Sequence, residues 1–161
     1  MTLPEYIRWL ERAIERMEYG APAMANAMAK YLAERTADDT LRQVTHAPGA
    51  YYKARPGAPP AYVSGSLAKG MFVRPAPAAQ GVRATAIVGN EAKHARLLEH
   101  GGCVLKPTHG EAMSWTDTGG AWRHRALPAP AHPYLRPTVQ DAVDDGSLTA
   151  CALDAFRPYD P

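Results

Sequence analysis

Three histidines and a cysteine lie within sixteen residues in the middle of the chain, at His94, His100, Cys103 and His109. Imidazole and thiolate groups are common ligands of zinc, so such a cluster could in principle hold a metal. These residues are separated by steps of six, three and six, and this spacing matches no common structural zinc pattern. We therefore expect no metal and no other cofactor.

Two serines flank a glycine at Ser64, Gly65 and Ser66, and Lys69 and Gly70 follow. A serine nucleophile would require a G-x-S-x-G elbow. A phosphate-binding loop would require a preceding strand, a fixed gap between its glycines and a G-K-[ST] end. The sequence contains neither pattern. Serines at a turn are typically helix caps, and we expect Ser64 or Ser66 to cap a short helical turn.

Four carboxylates, Glu91, Glu99, Glu111 and Asp117, are the only acidic side chains between positions 41 and 136. Catalysis by paired carboxylates needs two of them close in space, which spacing along the chain does not show. We interpret Glu99 as a structural group that pairs with an arginine or a histidine, within the subunit or across an interface. The sequence thus predicts a protein that is not an enzyme. A small hydrolase or metalloprotein is the least favoured alternative.

Residues 46–61 form the most distinctive loop, because four prolines and two glycines exclude both a helix and a central strand. Within it, Tyr51, Tyr52, Lys53 and Arg55 mix aromatic and basic side chains. Such a mixture can bind nucleic acid by stacking and charge. It can also belong to a stiff extended arm that lies on a neighbouring subunit, and we favour the arm.

Charge is distributed unevenly along the chain. Residues 41–136 carry twelve basic and four acidic side chains, a net charge of +8, whereas residues 1–40 carry −2 and residues 137–161 carry −4. A basic middle between acidic ends indicates head-to-tail contacts between copies, or a positive surface that faces nucleic acid. The sequence alone leaves both interpretations open.

Periodicity predicts the elements that position these residues. Ile7, Leu10, Ile14 and Met17 line one face of an N-terminal helix, which Gly20 and Pro22 should kink or break before a second amphipathic stretch ends near Arg35. Short strands are expected at about 70–76, 82–88, 102–106, 111–116 and 121–127. A helix over 92–100 should interrupt them, and another should begin near Tyr134 after a proline-rich link.

This order predicts an α+β fold: an N-terminal helix, a mostly antiparallel β-sheet interrupted by a short helix, and a C-terminal helix that packs on the sheet. At 161 residues the chain fits a single domain, 1–161, with the arm at 46–61 and a C-terminal extension from about 147. No apolar run is long enough to span a membrane, so we expect no membrane partner.

Three local motifs appear in a fixed order. They are Val63-Ser64-Gly65-Ser66-Leu67-Ala68-Lys69, then His94-Ala95-Arg96-Leu97-Leu98-Glu99-His100-Gly101-Gly102 after a Val88-Gly89 turn, and finally His132-Pro133-Tyr134-Leu135-Arg136-Pro137-Thr138. In this order they resemble the T-G-x-L-R-x-S, Y-A-x-x-x-E-x-G-T and P-F-L-R-P-A signatures of the tail-completion, or head–tail connector (neck), proteins of long-tailed bacteriophages. The chain departs from these signatures at Ser64, Ala68, His94 and Gly102, where the family usually has Thr, Arg, Tyr and Thr.

The resemblance implies a structural virion protein of the phage neck, assembled in the host cytoplasm. It would form a six- or twelve-fold ring of copies between the head-side connector or stopper and the tail terminator or tail tube, with phage DNA passing through the lumen. A tail-terminator ring, or a head-closure ring acting as stopper or adaptor, is the alternative within this class. A basic nucleic-acid-binding module is the alternative from another class.

The resemblance implies two groups of important residues, one for contacts between subunits and one that holds the motifs together. Pro133 and Pro137 should fix the entry into the last helix, so that Tyr134 and Leu135 plug the sheet while Arg136 stays free to pair. The candidates for contacts between subunits are Tyr51, Tyr52, Lys53, Arg55, Glu99, His100 and Arg136. The residues expected to hold the motifs together are Ser64, Gly65, Leu67, Ala95, Leu98, Gly101, Pro133, Tyr134, Leu135 and Pro137.

Overall fold

The computed structural model describes residues 2–41, 57–60, 65–77, 83–117 and 120–159. The chain forms two compact units. The first combines Met1–Arg35, Met71–Gly89 and Val139–Pro161, and the second combines Thr36–Gly70 and Asn90–Thr138. The prediction of one domain over 1–161 stays a prediction.

The first unit is built on a single long helix, α1 (Leu3–Arg35), of 33 residues. Its C-terminal half buries the small residues Gly20, Ala25 and Ala29 together with Leu32 and Ala33. Against this half pack α5 (Ser147–Phe156) and a 3₁₀ turn at Arg157–Tyr159. Of the kink or break predicted at Gly20 and Pro22, the break is wrong, because α1 continues through both residues. An interior proline costs a helix one hydrogen bond, but contacts with α5 on both sides of Pro22 hold the helix together.

A pair of strands completes this unit. β1 (Met71–Arg74) pairs with β2 (Ile87–Asn90), and α1 packs against β1. The Asn26 side-chain oxygen accepts the N–H of Ala76 at 2.6 Å, which ties the chain after β1 to α1. The strand that was expected at 82–88 is β2, which begins at Ile87 and thus five residues later than predicted.

The last two helices meet at a polar turn. α4 (Leu135–Asp144) ends before Gly146. Gly146 has a φ of 74° and is the N-cap residue of α5. The Arg35 guanidinium reaches this turn, 2.8 Å from the carboxylate of Asp145 and 2.8 Å from the hydroxyl of Ser147. Residues after 147, predicted as an extension, are thus fastened to the end of α1.

The second unit contains a π-helical turn, Thr36–Leu41, which buries Thr36, Ala37 and Leu41 and packs against the short helix α2 (Ser66–Lys69). After α3 (Ala95–His100) come β3 (Cys103–Leu105), β4 (Met113–Asp117), β5 (Gly120–His124) and β6 (Leu127–Ala129). β4 and β5 form an antiparallel pair in which Trp115 lies opposite Trp122, and β3 pairs antiparallel with β6.

The predicted α+β class is confirmed. A long N-terminal helix, antiparallel strands, a short helix between them and a C-terminal helix that packs on this framework appear in the expected order. In the part of the chain that is described, the strands pair two by two. β6 lies in the segment predicted as a proline-rich link. Its Pro128 is compatible with a strand because, among the described residues, β6 has a hydrogen-bonded neighbour on one side only.

Candidate functional site

The clearest constellation of polar contacts joins the end of α3 to the start of α4. One carboxylate oxygen of Glu99 accepts the N–H groups of Tyr134 at 2.9 Å and Leu135 at 3.0 Å, and the other accepts the N–H of Arg136 at 2.9 Å. The first N–H groups of a helix have no partner within the helix. Glu99 therefore caps α4 from a different helix, and its negative charge also suits the positive end of the helix dipole.

Backbone contacts close the same junction from the side. The carbonyl of Leu98 accepts the N–H of His132 at 2.6 Å, and the N–H of Gly102 donates to the carbonyl of Ala129 at 3.1 Å. The β3–β6 ladder then continues this contact from Cys103. We call these residues the Glu99 junction: Leu98, Glu99, Gly101, Gly102, Ala129, Ala131, His132 and Tyr134–Arg136.

Gly101 allows the end of α3 to lie close to the backbone of Ala131. Its φ is 58°, a value that favours glycine, and it ends α3. A Cβ at this position would lie 2.8 Å from the Cα of Ala131 and would also collide with the N of Ala131. Since that neighbour is backbone, no side-chain rotation could relieve the clash. The junction thus requires glycine here for two independent reasons.

The described end of the 46–61 segment also belongs to this junction. The N–H of Gly57 donates to the carbonyl of Ala131 at 3.0 Å, and the Nδ1 of His132 lies 3.0 Å from the carbonyl oxygen of Ala58. Pro60 is buried. Residues 57–60 therefore lie on their own chain. The remainder of the predicted arm, with Tyr51, Tyr52, Lys53 and Arg55, falls outside the described residues, as does Ser64.

The electrostatics of the junction follow from its hydrogen bonds. Partial burial raises the pKa of Glu99, but the N–H groups of Tyr134, Arg136 and Leu135 lower it by more, and His100 adds to this, so the pKa lies below its usual value. Burial, and then the charge of Glu99, raises the pKa of Tyr134 to about 12. A carboxylate engaged by three N–H groups favours a structural role over proton transfer.

A side-chain amide holds the first motif in place within the second unit. Gly65, with φ of 71°, precedes α2, and Leu67 and Ala68 are buried. The side-chain amide of Asn90 donates to the carbonyl of Leu67 at 2.8 Å, while its oxygen accepts the N–H of Ala92 at 2.9 Å. Asn90 thus fastens α2 to the turn that leads into α3.

The structure places four of the ten predicted motif residues, together with Glu99, in one connected group. Leu98, Glu99, Gly101, Tyr134 and Leu135 are in contact or adjacent in the junction, with Tyr134 only 2% exposed. Ala95 and Leu67 are buried, and Pro133 and Pro137 are half-buried on either side of the first turn of α4. His100 and Arg136 are exposed, as an interface role requires.

Glu99 binds backbone N–H groups, which the sequence did not suggest, and His100 adds an electrostatic contribution that lowers its pKa. The sequence did not single out Asn90 or His132 either, although both hold the motifs in place. It also missed the exposure of the first half of α1. The available signal for the Glu99 cap was a carboxylate next to the end of one helix and a proline-flanked helix start elsewhere in the chain.

Within the described ranges, no three His, Cys, Asp or Glu side chains are grouped so that they could hold a metal ion. None of the helices described is both long and apolar enough to cross a membrane. No protein-family model, curated protein or solved structure matches the chain.

Proposed function

We propose that the protein is a structural subunit of a bacteriophage neck, which assembles with copies of itself into a ring that joins the DNA-filled head to the tail. One observation carries the proposal. The second and third of the motifs on which the resemblance rests meet in the Glu99 junction, where Glu99 caps the helix that the third motif begins, 35 positions along the chain.

The arrangement suits such a subunit because it fixes a shape and leaves its outer side chains for contacts. The carboxylate of Glu99 is used inside the chain, whereas His100 and Arg136 project beside it and are exposed. A ring of identical subunits joins two different surface patches of each copy. His100 and Arg136 are our candidates for one such patch, and Glu99 acts on it indirectly by holding the backbone of Arg136.

The tail-completion position is the one that the motifs resemble most, with the tail terminator and the head-closure ring as alternatives. Each of these rings surrounds the channel through which DNA passes and touches proteins on its head side and on its tail side. In each of them the protein needs stable contacts between copies. We expect it in the virion, at the junction of head and tail.

A nucleic-acid-binding module is the second candidate, from another class. Arg123 and Arg125 are exposed and, with Glu111 and Ala112, line an open cavity of about 320 Å³. Two arginines attract phosphate, but the carboxylate of Glu111 beside them weakens that attraction. Because of this carboxylate we favour the assembly role. Affinity for DNA that falls steeply with salt and is lost in Arg123→Ala plus Arg125→Ala would favour the second candidate.

The direct test is a deletion of the gene from the genome that carries it. We expect filled heads and separate tails in electron micrographs of the lysate, and joined particles again when the wild-type chain is supplied in trans. Antibody labelling should mark the head–tail junction of the restored particles. Normal joined particles formed without the chain would overturn the proposal.

A further inference from the structure

The first half of α1 carries an apolar face that the described part of the chain leaves exposed. Five side chains on this face are between 37% and 72% exposed. They recur at steps of four, three, four and three, and we call them the α1 seam: Leu3, Ile7, Leu10, Ile14 and Met17. Contiguous exposed apolar side chains of this size usually mark a surface that binds a partner.

The spacing of the seam favours a second helix as its partner. Steps of three and four that alternate place the side chains at the a and d positions of a heptad repeat, and this is the pattern of helices that pack in a coiled coil. Ile7 and Ile14 occupy a, while Leu3 and Leu10 occupy d. β-Branched residues at a with leucine at d favour two parallel helices. The natural partner for this face is therefore a helix with the same face.

The charges beside the seam favour the parallel orientation. In a parallel pair, residues at e lie opposite residues at g of the partner, so Glu11 and Glu18 face the neutral Tyr6 and Ala13. In an antiparallel pair, e positions face e positions. Two of the three e residues in this stretch are glutamates, so that orientation brings carboxylates together at the edge of the seam.

The helix itself is placed to present the seam. Its second half is anchored in the first unit through Gly20, Ala25 and Ala29, whereas Leu3–Tyr19 extends the same helix by about 25 Å. A continuous helix needs no new nucleation to display this stretch. We infer that two copies of the chain associate through their α1 seams as a short parallel coiled coil.

This pairing supplies a contact between copies that the proposed ring could use, but it would form in the free protein whether or not the neck role is correct. The two proposals can therefore fail separately. If the deletion mutant lacks joined particles and the seam variants still associate, only the inference that copies pair through the seam is wrong. If the chain pairs through the seam and the deletion mutant is normal, the neck role alone is wrong.

The test of association is sedimentation equilibrium of the full chain over a wide concentration range. We expect the wild type to associate, and Ile14→Glu to weaken that association at least tenfold. The matched control is Tyr19→Glu, which places the same charge at an exposed apolar residue outside the seam. Circular dichroism should show equal helix content in all three proteins. Monomeric wild type, or unchanged association of Ile14→Glu, would overturn the inference.

The test of orientation uses single cysteines in a chain with Cys103→Ser and Cys151→Ser. Ile7→Cys at an a position and Met17→Cys at a d position, each oxidised alone, should give disulfide-linked dimers if the helices run parallel, since each residue then faces its own counterpart. In an antiparallel pair, a positions face d positions, so the two variants would be linked only when they are mixed. Arg12→Cys, on the opposite face of α1, should remain unlinked.

Discussion

Glu99 accepts the backbone N–H of Tyr134 at 2.9 Å across 35 positions of sequence. This hydrogen bond, with those of Leu135 and Arg136, joins the end of one helix to the start of the next and leaves the side chains of His100 and Arg136 on the surface. The stability of the second unit and the shape of its exposed edge should therefore depend on one carboxylate.

Removal of that carboxylate should destabilise the protein. Glu99→Ala leaves three N–H groups of α4 to water and should lower the free energy of unfolding by roughly 1–2 kcal/mol, as the loss of a helix cap does. Glu99→Gln keeps one acceptor oxygen and should lose less. Urea unfolding measures both, with the exposed Glu91→Ala as control. Equal midpoints for Glu99→Ala and Glu91→Ala would show that the cap contributes nothing.

Substitutions at two neighbouring glycines can distinguish the stability cost of backbone strain from the cost of a steric collision. Gly101 and Gly102 both have positive φ, 58° and 79°, but only Gly101 lies against the backbone of Ala131. Gly102→Ala should cost about 1–2 kcal/mol from its backbone conformation alone. Gly101→Ala should cost roughly 1–3 kcal/mol more because backbone must move. Thermal or urea unfolding would rank the two, and equal losses would contradict the close approach of Gly101 to Ala131.

Acid should weaken the turn between α4 and α5. A hydrogen bond from Arg35, and then hydrogen bonds from Ser147, lower the pKa of Asp145 to about 2. A depressed pKa in the folded state means that ionised Asp145 stabilises the fold above its usual pKa of 3.8, and that this contribution is lost as the pH falls towards 2. The stability difference between wild type and Asp145→Asn should thus shrink between about pH 4 and pH 2.

The control for this pH dependence is Asp154→Asn. Asp154 pairs with Arg157 at 3.2 Å, but both side chains are largely exposed, so the pair should contribute little at any pH. Chemical unfolding at a series of pH values would compare the variants. A constant difference between wild type and Asp145→Asn down to pH 2 would exclude Asp145 as the group that titrates.

The sequence was informative where structure depends on local pattern and less so where it depends on packing. Periodicity predicted α1, and glycine after His100 predicted the end of α3, because both depend on nearby residues. The cap at Glu99 joins two helices that periodicity predicts separately, and no local rule brings them together. The expected break at Gly20 failed for the same reason, since α5 compensates for what the local sequence loses.

The packing of α5 on α1 can be tested with Gly20→Ala, because the ring of Phe156 decides whether this substitution stabilises or destabilises the protein. In a helix interior, glycine to alanine normally stabilises by about 1 kcal/mol. At Gly20, however, a Cβ would collide with the ring of Phe156, so Gly20→Ala should destabilise the chain by roughly 1–3 kcal/mol. In a Phe156→Leu background the same change should become neutral or stabilising. A double-mutant cycle from urea unfolding measures this coupling. Stabilisation by Gly20→Ala in the wild-type background would show that Phe156 does not pack on α1 at this position.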